Sequence, residues 1–126
     1  MIFEPSQIIR DLVKKIGKRR GLGPDWLNDA AKGYLVKDFK REKVRSLSNL
    51  MIWAPHPRYM LAMKCISARW DRSDKDDVLC LLKHLRMTST RDVFELIERY
   101  YPKEVIPAKT QFLIEEILES NAKVHT

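Results

Sequence analysis

At 126 residues and 44% hydrophobic content, the chain holds one domain's worth of material and enough apolar side chains for a single core. No run reaches the ~18 apolar residues that a membrane span needs, and MIFEPSQIIRD lacks a signal peptide's basic-then-apolar layout, so we expect a cytoplasmic protein with no membrane partner. The formal charge of +7 is concentrated at the front: residues 1–64 hold 14 Lys and Arg against 6 Asp and Glu (+8), and residues 65–126 hold 10 against 11 (−1). That imbalance suits either an anionic, phosphate-bearing partner or a solvated basic surface.

In chain order, Pro5 fits the first turn of a helix whose Ile8, Ile9, Leu12, Val13 and Ile16 share one face. Gly21 suits its C-terminus, and Lys14, Lys15, Lys18, Arg19 and Arg20 occupy its opposite flank and tail. Pro24 and Asp25 open a second, short helix that ends near Gly33, with Trp26, Leu27, Ala30, Ala31 and Tyr34 as its apolar face. Val44 to Leu47 and Leu50 to Trp53 are β-prone runs around Ser48-Asn49, which reads as a hairpin. Met60, Met63, Ile66 and Trp70 then form a helical stripe, and Val78, Leu81, Leu82 and Leu85 mark the next helix. Ser89 with Asp92 caps a further helix carrying Val93, Leu96, Ile97 and Tyr100; Pro107 opens the last, with Leu113, Ile114, Ile117 and Leu118 buried. The expected fold is α+β and mostly helical, about six helices with a small antiparallel hairpin or sheet, in one domain over residues 1–126.

Cys65 and Cys80 belong to no CxxC or Cys/His cluster and read as reduced core thiols, which leaves no protein-derived metal set. His56 lies in a turn, His84 on a helix flank and His125 in the tail, none in a nucleophile's setting.

Two features between Ala62 and Leu82 stand out. Lys64 sits beside the Met60/Met63/Ile66 stripe, where a lysine either snorkels to solvent or projects into a cleft as a point charge for phosphate. Asp71, Asp74, Asp76 and Asp77 crowd the break before the next helix. Ser73 with Asp76 resembles a capping box, and first-turn acids complement the macrodipole by ~0.3–1 kcal/mol each. Asp77 shares a face with Cys80, Leu81 and His84, which points it inward, and Arg69 and Arg72 are placed to pair with these acids.

Three stretches, RGLGPDWLNDAAKGYL (Arg20 to Leu35), PRYMLAMKCISARWDRSDKDDVLCLLKHL (Pro57 to Leu85) and ERYYPKEVIPAKTQFLIEEIL (Glu98 to Leu118), resemble a family of bacterial nucleotidyltransferase-like proteins related to the AbiEii-type toxins of toxin–antitoxin systems. The resemblance implies transfer of a nucleotide from a nucleoside triphosphate to RNA or another hydroxyl acceptor. It places the helical lysine at Lys64 and the later aspartate at Asp77, with Asp74 second, as catalytic residues. It makes Asn28 and Arg69 nucleotide- or nucleic-acid-binding candidates, with Trp26 and Leu27 as packing. In this family two magnesium ions sit on a close acid pair beside a glycine-serine turn. Gly17, Gly21, Gly23 and Gly33 are in no such setting, and Ile2-Phe3-Glu4-Pro5 resembles the family's segment just after the acid pair. The expectation is therefore a truncated or degenerate nucleotidyltransferase-like domain, incomplete on its own, with Mg2+ only if carboxylates are supplied elsewhere. Two alternatives stand beside it. One is a basic nucleic-acid-binding module using Lys14, Lys15, Lys18, Arg19, Arg20, Lys40, Arg41 and Arg45 on phosphates. The other is a toxin–antitoxin component that meets a protein partner or a second copy through Ile2 and Phe3.

Overall fold

A computed structural model describes residues 3, 5–36, 39–69 and 72–124. Ile2, Glu4, Trp70, Asp71 and His125 lie outside the described residues, as does the side chain of Arg72. The chain forms two compact units, Met1–Leu35 and Val36–Thr126.

In the first unit, α1 spans Ser6–Arg20. Its last turn carries Lys18, Arg19 and Arg20, which complement the helix dipole. Gly21 adopts the left-handed conformation (φ 66°) that glycine accepts at no steric cost, and both Gly21 and Leu22 donate their N–H to the Gly17 carbonyl. The expected apolar face is only partly buried: Val13 and Gly17 are covered, whereas Ile8, Leu12 and Ile16 are exposed. Trp26, itself 40% exposed, lies against the covered side of α1, where its indole N–H donates to the Val13 carbonyl at 3.0 Å. A Cβ on Gly17 would stand 3.1 Å from two indole atoms, so the absence of a side chain there admits the ring.

The expected helix from Pro24 does not form. Residues 24–27 are turn and bend, followed by a 3-10 turn over Ala30–Tyr34. The cause is Asn28, whose side chain donates to the Asp25 carbonyl (3.2 Å) and accepts the Ala30 N–H (3.0 Å). These bonds offer the backbone an alternative to the helical ladder. Arg10 pairs with Asp29 at 2.7 Å and holds its carboxyl below the usual carboxylate range.

The second unit opens with the expected hairpin, β1 (Arg41–Leu47) antiparallel to β2 (Leu50–Pro55) around the two-residue turn Ser48-Asn49, with a bulge at Val44. Four helices follow: α2 (Pro57–Ser67), α3 (Arg72–His84), α4 (Thr90–Glu98) and α5 (Ala108–Val124), with a 3-10 turn at Lys103–Val105 before the last. Among the described residues, five α-helices and a two-stranded sheet thus make a mostly helical fold, one α-helix short of the number expected. Caps set the boundaries. His56 Nδ1 accepts the Arg58 N–H with Pro57 at the first helical position of α2, and Ser89 accepts the Asp92 N–H at the start of α4. At the end of α3, Arg86 takes a positive φ of 55° while Met87 N–H bonds to Leu82 O and Arg86 N–H to Lys83 O. That is a Schellman motif with arginine where glycine is usual.

Helix α2 packs against α3 and α4, and α5 covers both. The core is Tyr59, Leu61, Ala62 and Cys65 from α2, Val78 and Leu82 from α3, Val93, Leu96 and Ile97 from α4, and Thr110, Ile114 and Ile117 from α5. The buried face of α2 is therefore rotated from the expected one, since Met60, Met63 and Ile66 are only half-buried. Tyr59 explains the rotation: it stacks on Phe39 (centroids 4.5 Å apart), meets Tyr100 edge-on, and accepts the Val36 N–H through its hydroxyl. Cys65 is buried, with its thiol pushed up to about 12, but Cys80 is exposed, so only one of the two cysteines is a core thiol. No helix among the described residues is long and apolar enough to cross a membrane.

Candidate functional site

The junction of α2 and α3 gathers Lys64, Asp74 and Asp77. Ala68 leaves the helical region (ψ 134°), and α3 lies beside α2. Lys64 lies in the last turn of α2 and Asp74 in the first turn of α3, each where its charge opposes the local helix dipole. The Lys64 ammonium reaches across to Asp77 Oδ2 at 2.8 Å and to Asp74 Oδ1 at 3.6 Å. The other oxygen of Asp74 accepts the Arg69 backbone N–H at 2.8 Å. Ser73 lies inside α3 and not at its N-cap, so the expected Ser73/Asp76 capping box is displaced, and Asp74 of the first turn instead reaches back to the Arg69 N–H ahead of the helix.

The diversion of the Arg69 N–H affects the core. A continuing helix would send it to the Cys65 carbonyl. That carbonyl instead accepts the hydroxyl of Thr110, which is fully buried on α5, at 3.2 Å. The end of α2 is thus tied to α3 by a carboxylate and to α5 by a hydroxyl. Nothing in the sequence spacing of Thr110, forty-five residues from Cys65, signals this bond.

Electrostatically the cluster keeps Lys64 charged. Its hydrogen bond to Asp77 raises its pKa against the opposing effect of burial, and the charges of Asp77 and Asp74 add to the rise. Its side chain is 32% exposed and that of Asp77 51%, so Asp77 reaches sideways along the surface and does not point inward as its helical face suggested. An ammonium has three N–H donors. One serves Asp77, a second faces Asp74, and a third is left for an incoming oxygen at this half-open position. The Arg69 guanidinium, five residues on, is exposed and forms no ion pair with the described residues.

No three His, Cys, Asp or Glu side chains converge among the described residues, and the ammonium lies between the two carboxylates where a cation would have to sit.

Of the remaining sequence candidates, Lys14, Lys15, Lys18, Arg19, Arg20 and Asn28 lie in the first unit, and Lys40, Arg41 and Arg45 in the second. Lys14, Lys15 and Lys18, with Asp11 and Leu12, line a shallow depression of about 290 Å³ along α1. Five of the six α1 cations, Lys14, Lys15, Lys18, Arg19 and Arg20, are exposed and unpaired with any described carboxylate, and the sixth, Arg10, is held by Asp29. Asn28 turns its side chain to the local backbone, and Phe3, expected at an intermolecular interface, is buried. Lys43, absent from the sequence candidates, lies 5.4 Å from the centre of the Trp53 ring, with Arg41 at 4.9 Å. The alternation Arg41-x-Lys43 opposite Trp53 is the signal that announces that contact. In comparisons with known proteins, the chain matches no family model, no curated protein and no solved structure.

Proposed function

We propose that this chain is nucleotidyltransferase-like and carries the lysine–aspartate half of a site for a nucleoside triphosphate, with the magnesium-binding carboxylates supplied from outside the described residues. The observation that carries the reading is the Lys64 ammonium, fixed by Asp77 and Asp74 and retaining a donor at the surface. The sequence resemblance supports it, because the Lys64, Asp74 and Asp77 that it singles out come together on two adjoining helices. In nucleotidyl transfer an acceptor hydroxyl oxygen bonds to the α-phosphorus as the bond to pyrophosphate breaks. A positioned ammonium offsets the negative charge of the phosphates without moving to do so. Isothermal titration with nucleoside triphosphates, with and without magnesium, tests the reading. Binding in the wild type and its loss in a folded Lys64→Gln variant are expected; equal heats in the two proteins would overturn it.

A second reading, attachment of nucleic-acid phosphates to α1, is favoured by the five unpaired cations of that helix. Such contacts are tolerant of sequence and steeply salt-dependent. They are tested by the slope of log affinity against log salt for a random-sequence nucleic acid.

A further inference from the structure

The β1–β2 hairpin has both strands largely exposed and few contacts beyond its own pairing. A two-stranded ribbon with so little core behind it is marginal in water, so its exposed side chains call for another explanation than packing. Residues 40–55 carry Lys40, Arg41, Lys43 and Arg45 against the single acid Glu42, a net of 4 − 1 = +3. None of the four cations is paired with a described carboxylate. The register puts Lys43 opposite Trp53 and Arg41 opposite Pro55, so Arg41, Lys43 and Trp53 share one face before the bulge. There the guanidinium of Arg41 and the ammonium of Lys43 are drawn over the indole at 4.9 and 5.4 Å, while Trp53 stays 41% exposed.

We infer that this hairpin is a docking ribbon for single-stranded nucleic acid, with Trp53 as a stacking platform for a base and Arg41 and Lys43 as the holders of the flanking phosphates. The inference stands independently of the Lys64 site. Single strands expose base faces that a duplex hides inside its stack, and stacking on an aromatic ring is tolerant of base identity. A second copy of the chain is a poorer occupant, because pairing two ribbons of net +3 sets like charges face to face.

The test is fluorescence anisotropy of a labelled oligouridine about 12 nucleotides long, within the span that single-strand modules cover. The full chain is compared with Trp53→Ala, Trp53→Phe and the double variant Arg41→Gln/Lys43→Gln. Trp53→Ala is expected to weaken binding about tenfold, the scale of one stacked base, and Trp53→Phe to retain most of it. The double variant is expected to flatten the salt dependence by about 1.4, at 0.7 per lost phosphate contact to a single strand. A duplex of equal length should be insensitive to Trp53→Ala. Unchanged oligouridine binding in Trp53→Ala would overturn the inference, as would equal losses for single strand and duplex. So would a wild-type dimer that the same substitution abolishes without changing oligouridine binding. If Trp53→Ala disturbs the hairpin in circular dichroism, Trp53→Phe and the double variant still decide the matter.

Discussion

Helix α1 and the α2–α3 junction both present lysines to solvent, yet they treat the charge in opposite ways. Lys64 is held between two carboxylates, and its position is set by the fold. Lys14, Lys15 and Lys18 stand along α1 without acidic partners among the described residues, positioned by the helix. A paired cation is precise, and the acids that place it neutralise most of its long-range field. An unpaired row is imprecise and attracts polyanions over a Debye length. The first arrangement suits one phosphate group in one place; the second suits a polymer.

Substitutions sharpen this contrast, beginning with the largest effect. Thr110→Val leaves the Cys65 carbonyl, at the end of the helix that carries Lys64, without its donor. It should cost about 1–3 kcal/mol in urea denaturation, the usual penalty of an unsatisfied buried group, while Thr110→Ser should retain most of the stability. Asp74→Ala removes the acceptor of the Arg69 N–H and one partner of Lys64; a loss of about 1–2 kcal/mol is expected, larger than for Asp77→Ala, whose exposed pair is worth about 0–1 kcal/mol. Arg86→Gly relieves the left-handed conformation after α3 and should raise stability by roughly 1 kcal/mol, with no change at either set of lysines. Replacing Lys14, Lys15 and Lys18 together by Gln should move stability by less than about 0.5 kcal/mol. The same variant should lower the salt slope of nucleic-acid binding by about 2–3, at 0.7–0.9 per contact.

The pH response separates the two sets as well. The folded-state pKa of Lys64 is raised, so its contribution to stability is complete below its unfolded value of about 10.4 and is lost as pH rises through the higher folded value. The stability difference between wild type and Lys64→Met should therefore be constant from neutral pH to about 10 and vanish above that window. A difference that falls between pH 6 and 9 would mean that another group controls the junction.

Much of the helical unit is legible in the sequence because its signals are local. Ser89 with Asp92, the Ser48-Asn49 turn and the Val93/Leu96/Ile97 spacing each act within a few residues, and the structure obeys them. The convergence of Lys64 with Asp74 and Asp77 is not legible from local spacing, which points Arg69 and Arg72 at these acids; only the family resemblance singles out the three together. The misses have nonlocal or competing causes. Asn28 diverts backbone bonds that a helix from Pro24 would need, and Tyr59, drawn inward by Phe39 and Tyr100, rotates the buried face of α2 away from its methionines. Cys80 looks like a core residue because its neighbours are aliphatic, but the side of α3 that packs is the one carrying Val78 and Leu82. Thr110 is invisible in the sequence because its role depends on a carbonyl freed by Asp74.

The most direct measurement is the movement of backbone amide signals in a two-dimensional nitrogen–proton spectrum as a nucleoside triphosphate is added. The Arg69 N–H, bound to Asp74, reports on the Lys64 cluster, and the amides of residues 14–20 report on α1. A saturable shift at Arg69 and Asp77 that disappears in Lys64→Gln is the predicted result. Shifts confined to α1, with Arg69 unmoved, would contradict the assignment of the nucleotide to Lys64.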